Sequence, residues 1–76
     1  MKNQILSIVN HIRMKKTLPY VSELPDNLSL SGDLELDSLD LAELTVRIED
    51  QFGVDIFEDG LITKVGEIYR KIQNHG

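Results

Sequence analysis

The residue best placed to carry chemistry is Ser38, which follows Asp37 and precedes Asp40 by two positions. An aspartate at position 37 can accept hydrogen bonds from the first N–H groups of a helix, and Asp40 has the spacing of the reciprocal capping-box acid. The pattern therefore predicts a helix that begins at Ser38. The serine side chain then projects from a loop–helix junction, where unpaired N–H groups and the helix dipole attract an anion.

Ser38 has no partner in the sequence pattern that could activate it as a nucleophile. The two histidines, His11 and His75, lie far from it along the chain, and Asp37 is needed as the helix cap. We therefore expect that Ser38 is not a catalytic nucleophile and that the chain has no catalytic residue. With no cysteine and two widely separated histidines, we also expect no disulfide and no metal site.

The residues after Ser38 form two apolar stripes at helical spacing, and Gly53 is placed to end the helix. The first stripe predicts the face that packs into the core. It consists of Leu41, Leu44, Thr45, Ile48 and Phe52. The second stripe lies among acids and predicts a face directed away from the core. It consists of Leu39, Ala42 and Val46, flanked by Asp40, Glu43, Glu49 and Asp50. Such a face suits a basic partner, and the alternative is an ordinary solvated helix surface.

Two further helices are predicted, one on either side of this central one. Residues 1–14 have one apolar face and are predicted to form a helix. Lys15 and Lys16 follow at its C-terminal end, where their positive charges interact favourably with the helix dipole. Thr63 is predicted to cap a last helix that ends at Asn74 and Gly76. The apolar positions of these two helices are Ile5, Ile8, Val9 and Ile12 in the first, and Val65, Ile68, Tyr69 and Ile72 in the last. Tyr69 is expected to pack with its hydroxyl in water.

The connections complete the predicted fold. Residues 17–36 show no sustained period but contain six leucines and a valine, which predicts a long loop pinned to the core. Residues 57–62 have room for one short helical turn that brings Phe57, Leu61 or Ile62 onto the core. No segment alternates for long enough to predict a strand. We therefore expect an all-α protein, a small three- to four-helix bundle with a long loop between the first two helices.

Composition and charge limit the class of protein. The 76 residues are enough for one small domain, residues 1–76, with too little core for a roomy catalytic cleft. The net charge is −5, and residues 37–55 carry six acids against Arg47 alone, which argues against nucleic acid as a partner. The sequence contains neither an apolar run of about 20 residues nor a signal-peptide pattern. We expect a cytoplasmic monomer that does not insert into membranes.

The sequence resembles the acyl carrier proteins over nearly its whole length. The resemblance rests on the run DLELDSLD at 33–40, on Glu43 and Leu44, and on IEDQFGVDI at 48–56. It implies that Ser38, flanked by Asp37 and Leu39, carries 4′-phosphopantetheine through a phosphodiester. It also implies that a separate, magnesium-dependent phosphopantetheinyl transferase installs this group from coenzyme A. Acyl intermediates would then be held as thioesters on the thiol of the prosthetic group.

The resemblance further implies that the acidic face is a docking surface for basic patches on partner enzymes. The predicted docking residues are Asp40, Ala42, Glu43, Val46, Glu49 and Asp50. The partners expected are acyl-transferring, condensing or acyl-activating enzymes of fatty acid, polyketide or other secondary-metabolite biosynthesis. Two alternatives remain open: an aminoacyl or peptidyl carrier, and an unmodified helical module that only binds proteins.

The chain differs from the usual pattern of the family at three places. Glu35 stands where the family usually has glycine, and Arg47 lies within a helix whose family members are nearly all acidic or apolar. The stretch between Ile56 and Val65 is also two residues shorter than in many members. From these differences we expect a specialised choice of partners and a reduced or rearranged short helix in that stretch.

Overall fold

The computed structural model describes residues 1–75, and within that range the chain folds into three helices without a β-strand. They are α1 (Lys2–Lys15), α2 (Ser38–Phe52) and α3 (Val65–Gln73). One isolated antiparallel bridge pairs Ser29 with Lys64. The predicted all-α architecture with a long first loop is thus confirmed. No helix among these residues is both long and apolar enough to cross a membrane.

The limits of α2 agree with the prediction at both ends. The Asp37 carboxylate accepts from the Asp40 N–H, and the Asp40 carboxylate accepts from the Asp37 N–H, which completes the capping box. At the other end Gly53 adopts a left-handed conformation with φ of 72°, and its N–H donates to the Glu49 carbonyl. Both limits are marked by residues within four positions of the helix terminus, so the local sequence predicts them.

The outer helices differ slightly from their predicted limits. Helix α1 runs one residue beyond residues 1–14, with Lys16 as its C-cap. The prediction that Thr63 caps α3 is wrong, because Lys64 is the N-cap residue. The Glu67 carboxylate accepts from the N–H groups of both Thr63 (2.7 Å) and Lys64 (2.8 Å), and these bonds hold the start of the helix. They also lower the pKa of Glu67. Asn74 is the C-cap of α3, while Gly76 lies outside the described residues.

The segment after α2 forms turns. The Glu58 N–H donates to the Asp55 carbonyl, and the Gly60 N–H donates to the Phe57 carbonyl. Ile62 is buried and Phe57 is partly buried against the core, whereas Leu61 is 84% exposed. The described residues therefore form the three-helix version of the expected bundle, with residues 57–62 as a rearranged connection.

The core is built from all three helices and from the long loop. Leu44 and Ile48 of the predicted α2 stripe are fully buried, while Leu41 and Phe52 pack at its edge. The remaining buried apolar side chains lie on α1, in the loop, around Val54 to Ile62, and on α3. They are Ile5, Ile8, Val9, Ile12, Leu24, Leu30, Leu34, Leu36, Val54, Ile56, Ile62, Val65, Ile68 and Tyr69. The expectation that the loop is pinned to the core is confirmed by its four buried leucines.

Buried polar groups fasten the loop to the helices. The Arg13 side chain, 4% exposed, donates to the carbonyls of Leu34 (2.5 Å) and Pro19 (3.2 Å). The Tyr69 hydroxyl donates to the Leu24 carbonyl at 2.6 Å. The expectation that this hydroxyl is in water is wrong, since Tyr69 is 3% exposed and burial, with the charge of Asp26, raises its pKa. These bonds hold the segment that leads to Ser38 on a fixed path.

Candidate functional site

Ser38 is exposed and is the first residue of α2, as its neighbours predicted. The capping box uses the N–H of Asp40, at 2.9 Å from Asp37 Oδ1, and the Leu41 N–H donates to the Asp37 carbonyl. Across residues 1–75 no acceptor pairs with the N–H groups of Ser38 and Leu39. The helix therefore presents two unpaired donors and the positive end of its dipole beside an accessible hydroxyl.

The segment that leads to Ser38 contains a backbone conformation that residues with a β-carbon rarely adopt. Glu35 lies three residues before the serine and has φ of 59°, in the left-handed region. This conformation explains why members of the family usually have glycine at this position, since glycine enters the left-handed region without a steric penalty. The Lys16 ammonium donates to the Glu35 carbonyl at 2.6 Å and holds the turn from outside.

Lys16 is a residue of the site that sequence analysis missed. Its ammonium lies 2.6 Å from Asp40 Oδ2 and 3.8 Å from Asp37 Oδ2, so one cation contacts both members of the capping box. The hydrogen bond with Asp40, aided by nearby carboxylate charge, raises the pKa of Lys16 despite partial desolvation. For Asp40, partial desolvation favours a higher pKa, but the bonds from Lys16 and the cap outweigh it and lower that pKa.

Glu43 lies at the centre of a second set of contacts on the same face. Its Oε1 is 2.5 Å from the Lys15 ammonium, and its Oε2 is 2.8 Å from Arg47 Nε. The bond from Lys15 and then the bond from Arg47 lower the pKa of Glu43. The Arg47 side chain also lies 3.1 Å from His11 Nε2, so a histidine of α1 contacts the acidic face.

The structure divides the six predicted docking residues into two groups. Ala42, Val46, Glu49 and Asp50 are exposed, with Val46 at 67%, and Leu39 beside Ser38 is 81% exposed. The side chains of Asp40 and Glu43 are only 14% and 25% exposed, because bases from the end of α1 cover them. Within the described chain, neither Glu49 nor Asp50 forms an ion pair.

Comparisons with known proteins agree with this geometry. The sequence model of the family described as "Phosphopantetheine attachment site" matches residues 14–70. An acyl carrier protein of Rubrobacter xylanophilus is 33% identical over 76 residues, covering 97% of this chain and 94% of the relative. An acyl carrier protein of Lactobacillus acidophilus is 35% identical over 54 residues, 68% of each chain. The meromycolate extension acyl carrier protein of Mycobacterium leprae is 37% identical over 54 residues, 68% of this chain and 47% of the relative. No solved structure matched.

The matches define a class of small helical domains that bear a prosthetic group, and this chain belongs to the phosphopantetheine-binding acyl carrier protein family. Membership implies a covalently attached 4′-phosphopantetheine and a carrier role. The residues at the start of α2 fit such a group. Ser38 offers an exposed hydroxyl for a phosphodiester, and the unpaired N–H groups of Ser38 and Leu39 can donate to its anionic oxygens.

Proposed function

We propose that Ser38 is the attachment point of 4′-phosphopantetheine and that the chain carries acyl intermediates as thioesters between biosynthetic enzymes. The observation that carries the proposal is the exposed Ser38 hydroxyl at a capped helix start with two unpaired N–H groups. When bound, the prosthetic group supplies a thiol, which the chain lacks because it has no cysteine. Residues 1–76 form a single carrier domain in this proposal.

The chain's own residues position the reaction site without taking part in catalysis. The Asp37 carboxylate accepts a hydrogen bond from the Asp40 N–H. Within residues 1–75 no hydrogen bond links Ser38 to a histidine. The N–H groups at the start of α2 would stabilise the phosphodiester anion. Leu39, 81% exposed beside Ser38, offers an apolar contact to an enzyme that reaches the serine. A separate transferase would use magnesium and coenzyme A to modify Ser38.

We also propose that the exposed face of α2 docks enzymes that load, extend or unload the acyl group. Asp40, Ala42, Glu43, Val46, Glu49 and Asp50 constitute this face. Opposite charge on the partner speeds association, and a surface of this kind gives the fast, salt-sensitive encounters that a carrier needs. Fatty acid and polyketide or other secondary-metabolite synthesis both use such carriers, and an aminoacyl cargo is compatible with the same site.

Mass spectrometry of the intact protein tests the attachment site. The chain is incubated with coenzyme A, magnesium and a broad-specificity phosphopantetheinyl transferase, and the adduct is mapped by peptide analysis. We expect one phosphopantetheine on Ser38 and none in Ser38→Ala. The matched control is Ser31→Ala, which removes another exposed serine hydroxyl and should load like the wild type.

Two results would overturn this assignment. Loading of Ser38→Ala places the adduct on another residue. Failure to load the wild type, with a control carrier loaded in parallel and a panel of transferases tried, favours the unmodified binding module. Circular dichroism of Ser38→Ala should match the wild type, since the Ser38 side chain is exposed and makes no hydrogen bond to residues 1–75.

A further inference from the structure

The exposed face of α2 has two halves with different charge. We call Asp37, Asp40 and Glu43 the serine-proximal acids, and Glu49 and Asp50 the distal acids. The distal acids lie 11 and 12 residues after Ser38, about 17 Å away along a helix that rises 1.5 Å per residue. The two groups look alike in the sequence but differ in the bases that surround them.

Bases of this chain largely neutralise the serine-proximal acids. Lys16 lies 2.6 Å from Asp40 and 3.8 Å from Asp37. Lys15 and Arg47 lie 2.5 Å and 2.8 Å from Glu43. Three acids thus face three bases, and the carboxylate of Glu35 leaves only a small negative excess. A basic patch that approaches this half meets cations as well as carboxylates.

These bases stay near the acids even when individual ion pairs open. Lys15 is the last residue of α1 and Lys16 is its C-cap, so their backbones are fixed by the helix. Arg13, one turn earlier, is buried and bound to the loop before Ser38. Exposed ion pairs contribute little to stability and open readily, but the potential that steers a partner depends on where the charges are.

The distal half keeps its negative charge. Glu49 and Asp50 are exposed, and together with Val46 they line one shallow depression of about 420 Å³. Residues 49–59 contain five acids and no base. Lys71 and Arg70 of α3 lie at the far side of this region, where Lys71 contacts Asp59 at 3.2 Å. An apolar side chain beside two free carboxylates complements a protein patch in which lysine or arginine lies next to an apolar contact.

We propose that basic partner enzymes dock on Val46, Glu49 and Asp50, and that Lys15 and Lys16 exclude strongly basic patches from the Ser38 end of α2. The proposal rests on the docking face proposed above and narrows it. Lys15 and Lys16 are then specificity-determining residues. The partner is a protein whose basic patch lies about 17 Å from the point where Ser38 meets its surface, and whose surface around that point is apolar or neutral.

Amide chemical shifts in a titration with an octalysine peptide at low salt test the proposal. In the wild type the largest shifts should fall on residues 46–50. In the double variant Lys15→Gln, Lys16→Gln they should extend to residues 37–43. The matched control is Lys2→Gln, Lys64→Gln, which changes the net charge equally but lies outside the α2 face, and its shifts should keep the wild-type distribution. If the double variant is unfolded, the single variant Lys15→Gln replaces it in the titration, because it keeps the Lys16 bonds.

A second pair of variants measures the two halves directly. Glu49→Gln with Asp50→Asn should weaken octalysine binding by about threefold or more and remove the shifts at residues 46–50, whereas Asp40→Asn with Glu43→Gln should leave the largest shifts at residues 46–50. Wild-type shifts that are largest at 37–43, or a control pair that spreads them in the same way, would overturn the inference. The titration needs no modified serine, so failure of Ser38 to load would overturn the proposed function without changing this result.

Discussion

The two ends of α2 both depend on a residue in the left-handed region, but the residues differ. After the helix, Gly53 has φ of 72°; before it, Glu35 has φ of 59°. Glycine reaches this region freely, whereas a residue with a β-carbon is destabilised there by about 1 kcal/mol or more. The C-terminal end is therefore stabilised locally, while the end that presents Ser38 needs support from elsewhere.

That support comes from α1. Lys16 donates to the Glu35 carbonyl at 2.6 Å, and Arg13 donates to the carbonyl of Leu34, the residue just before Glu35. A strained residue persists where surrounding contacts determine its conformation, and such residues concentrate near functional sites. Side chains from the end of α1 therefore hold the backbone that leads to Ser38, whereas the Gly53 turn is held by its own bond to the Glu49 carbonyl.

The largest expected effect comes from removing the glycine. Gly53→Ala should lower the free energy of unfolding by about 1 kcal/mol or more, because alanine resists positive φ. A β-carbon at this position meets no atom within 4 Å, so the loss reflects conformation alone. Urea denaturation measures it. Gly53→Asn is the control, since asparagine tolerates this region and should lose less. An alanine variant as stable as the wild type would contradict the claim that the positive φ at position 53 favours glycine.

A smaller effect of opposite sign is expected at the other end. Glu35→Gly should raise the free energy of unfolding by about 0.5 kcal/mol, since relief of the strain is partly offset by the greater freedom of glycine in the unfolded chain. Glu35→Gln keeps the β-carbon, removes the charge and should remain near the wild type. If the glutamine variant gains as much as the glycine variant, charge rather than backbone conformation is responsible.

Sequence reasoning succeeded where the determining residues are close together. Asp37, Asp40 and Gly53 specify the limits of α2 within one helical turn, and Leu44 and Ile48 are buried as their spacing predicted. Glu35 was recognised as a difference from the family, but its left-handed backbone was not predicted. At α3 the prediction chose Thr63 by residue type, although Glu67 three residues after Lys64 was the better capping signal.

Contacts between distant residues were beyond this reasoning. Arg13 is one of four bases in residues 1–16, yet its side chain is buried and donates to the Leu34 carbonyl, 21 residues away. Lys15 and Lys16 meet Glu43 and Asp40 across 28 and 24 residues. These pairings depend on how α1 packs against α2, which periodicity does not determine. The acids of α2 were therefore predicted as one uniform face.

The smallest expected effect concerns pH and the bases of α1 that contact Asp40 and Glu43. The pKa values of Asp40 and Glu43 are lowered in the folded chain. A lowered carboxyl pKa adds stability that is fully present above the unfolded value, about 4, and is lost as pH falls through the folded value. Thermal melting temperatures should therefore drop between pH 5 and pH 3 less steeply in Lys15→Gln, Lys16→Gln than in the wild type. The pair Lys2→Gln, Lys64→Gln, which leaves the bonds of Lys15 and Lys16 to Glu43 and Asp40 in place, should retain the wild-type slope. Equal slopes in all three proteins would show that the bases of α1 do not stabilise the Ser38 end.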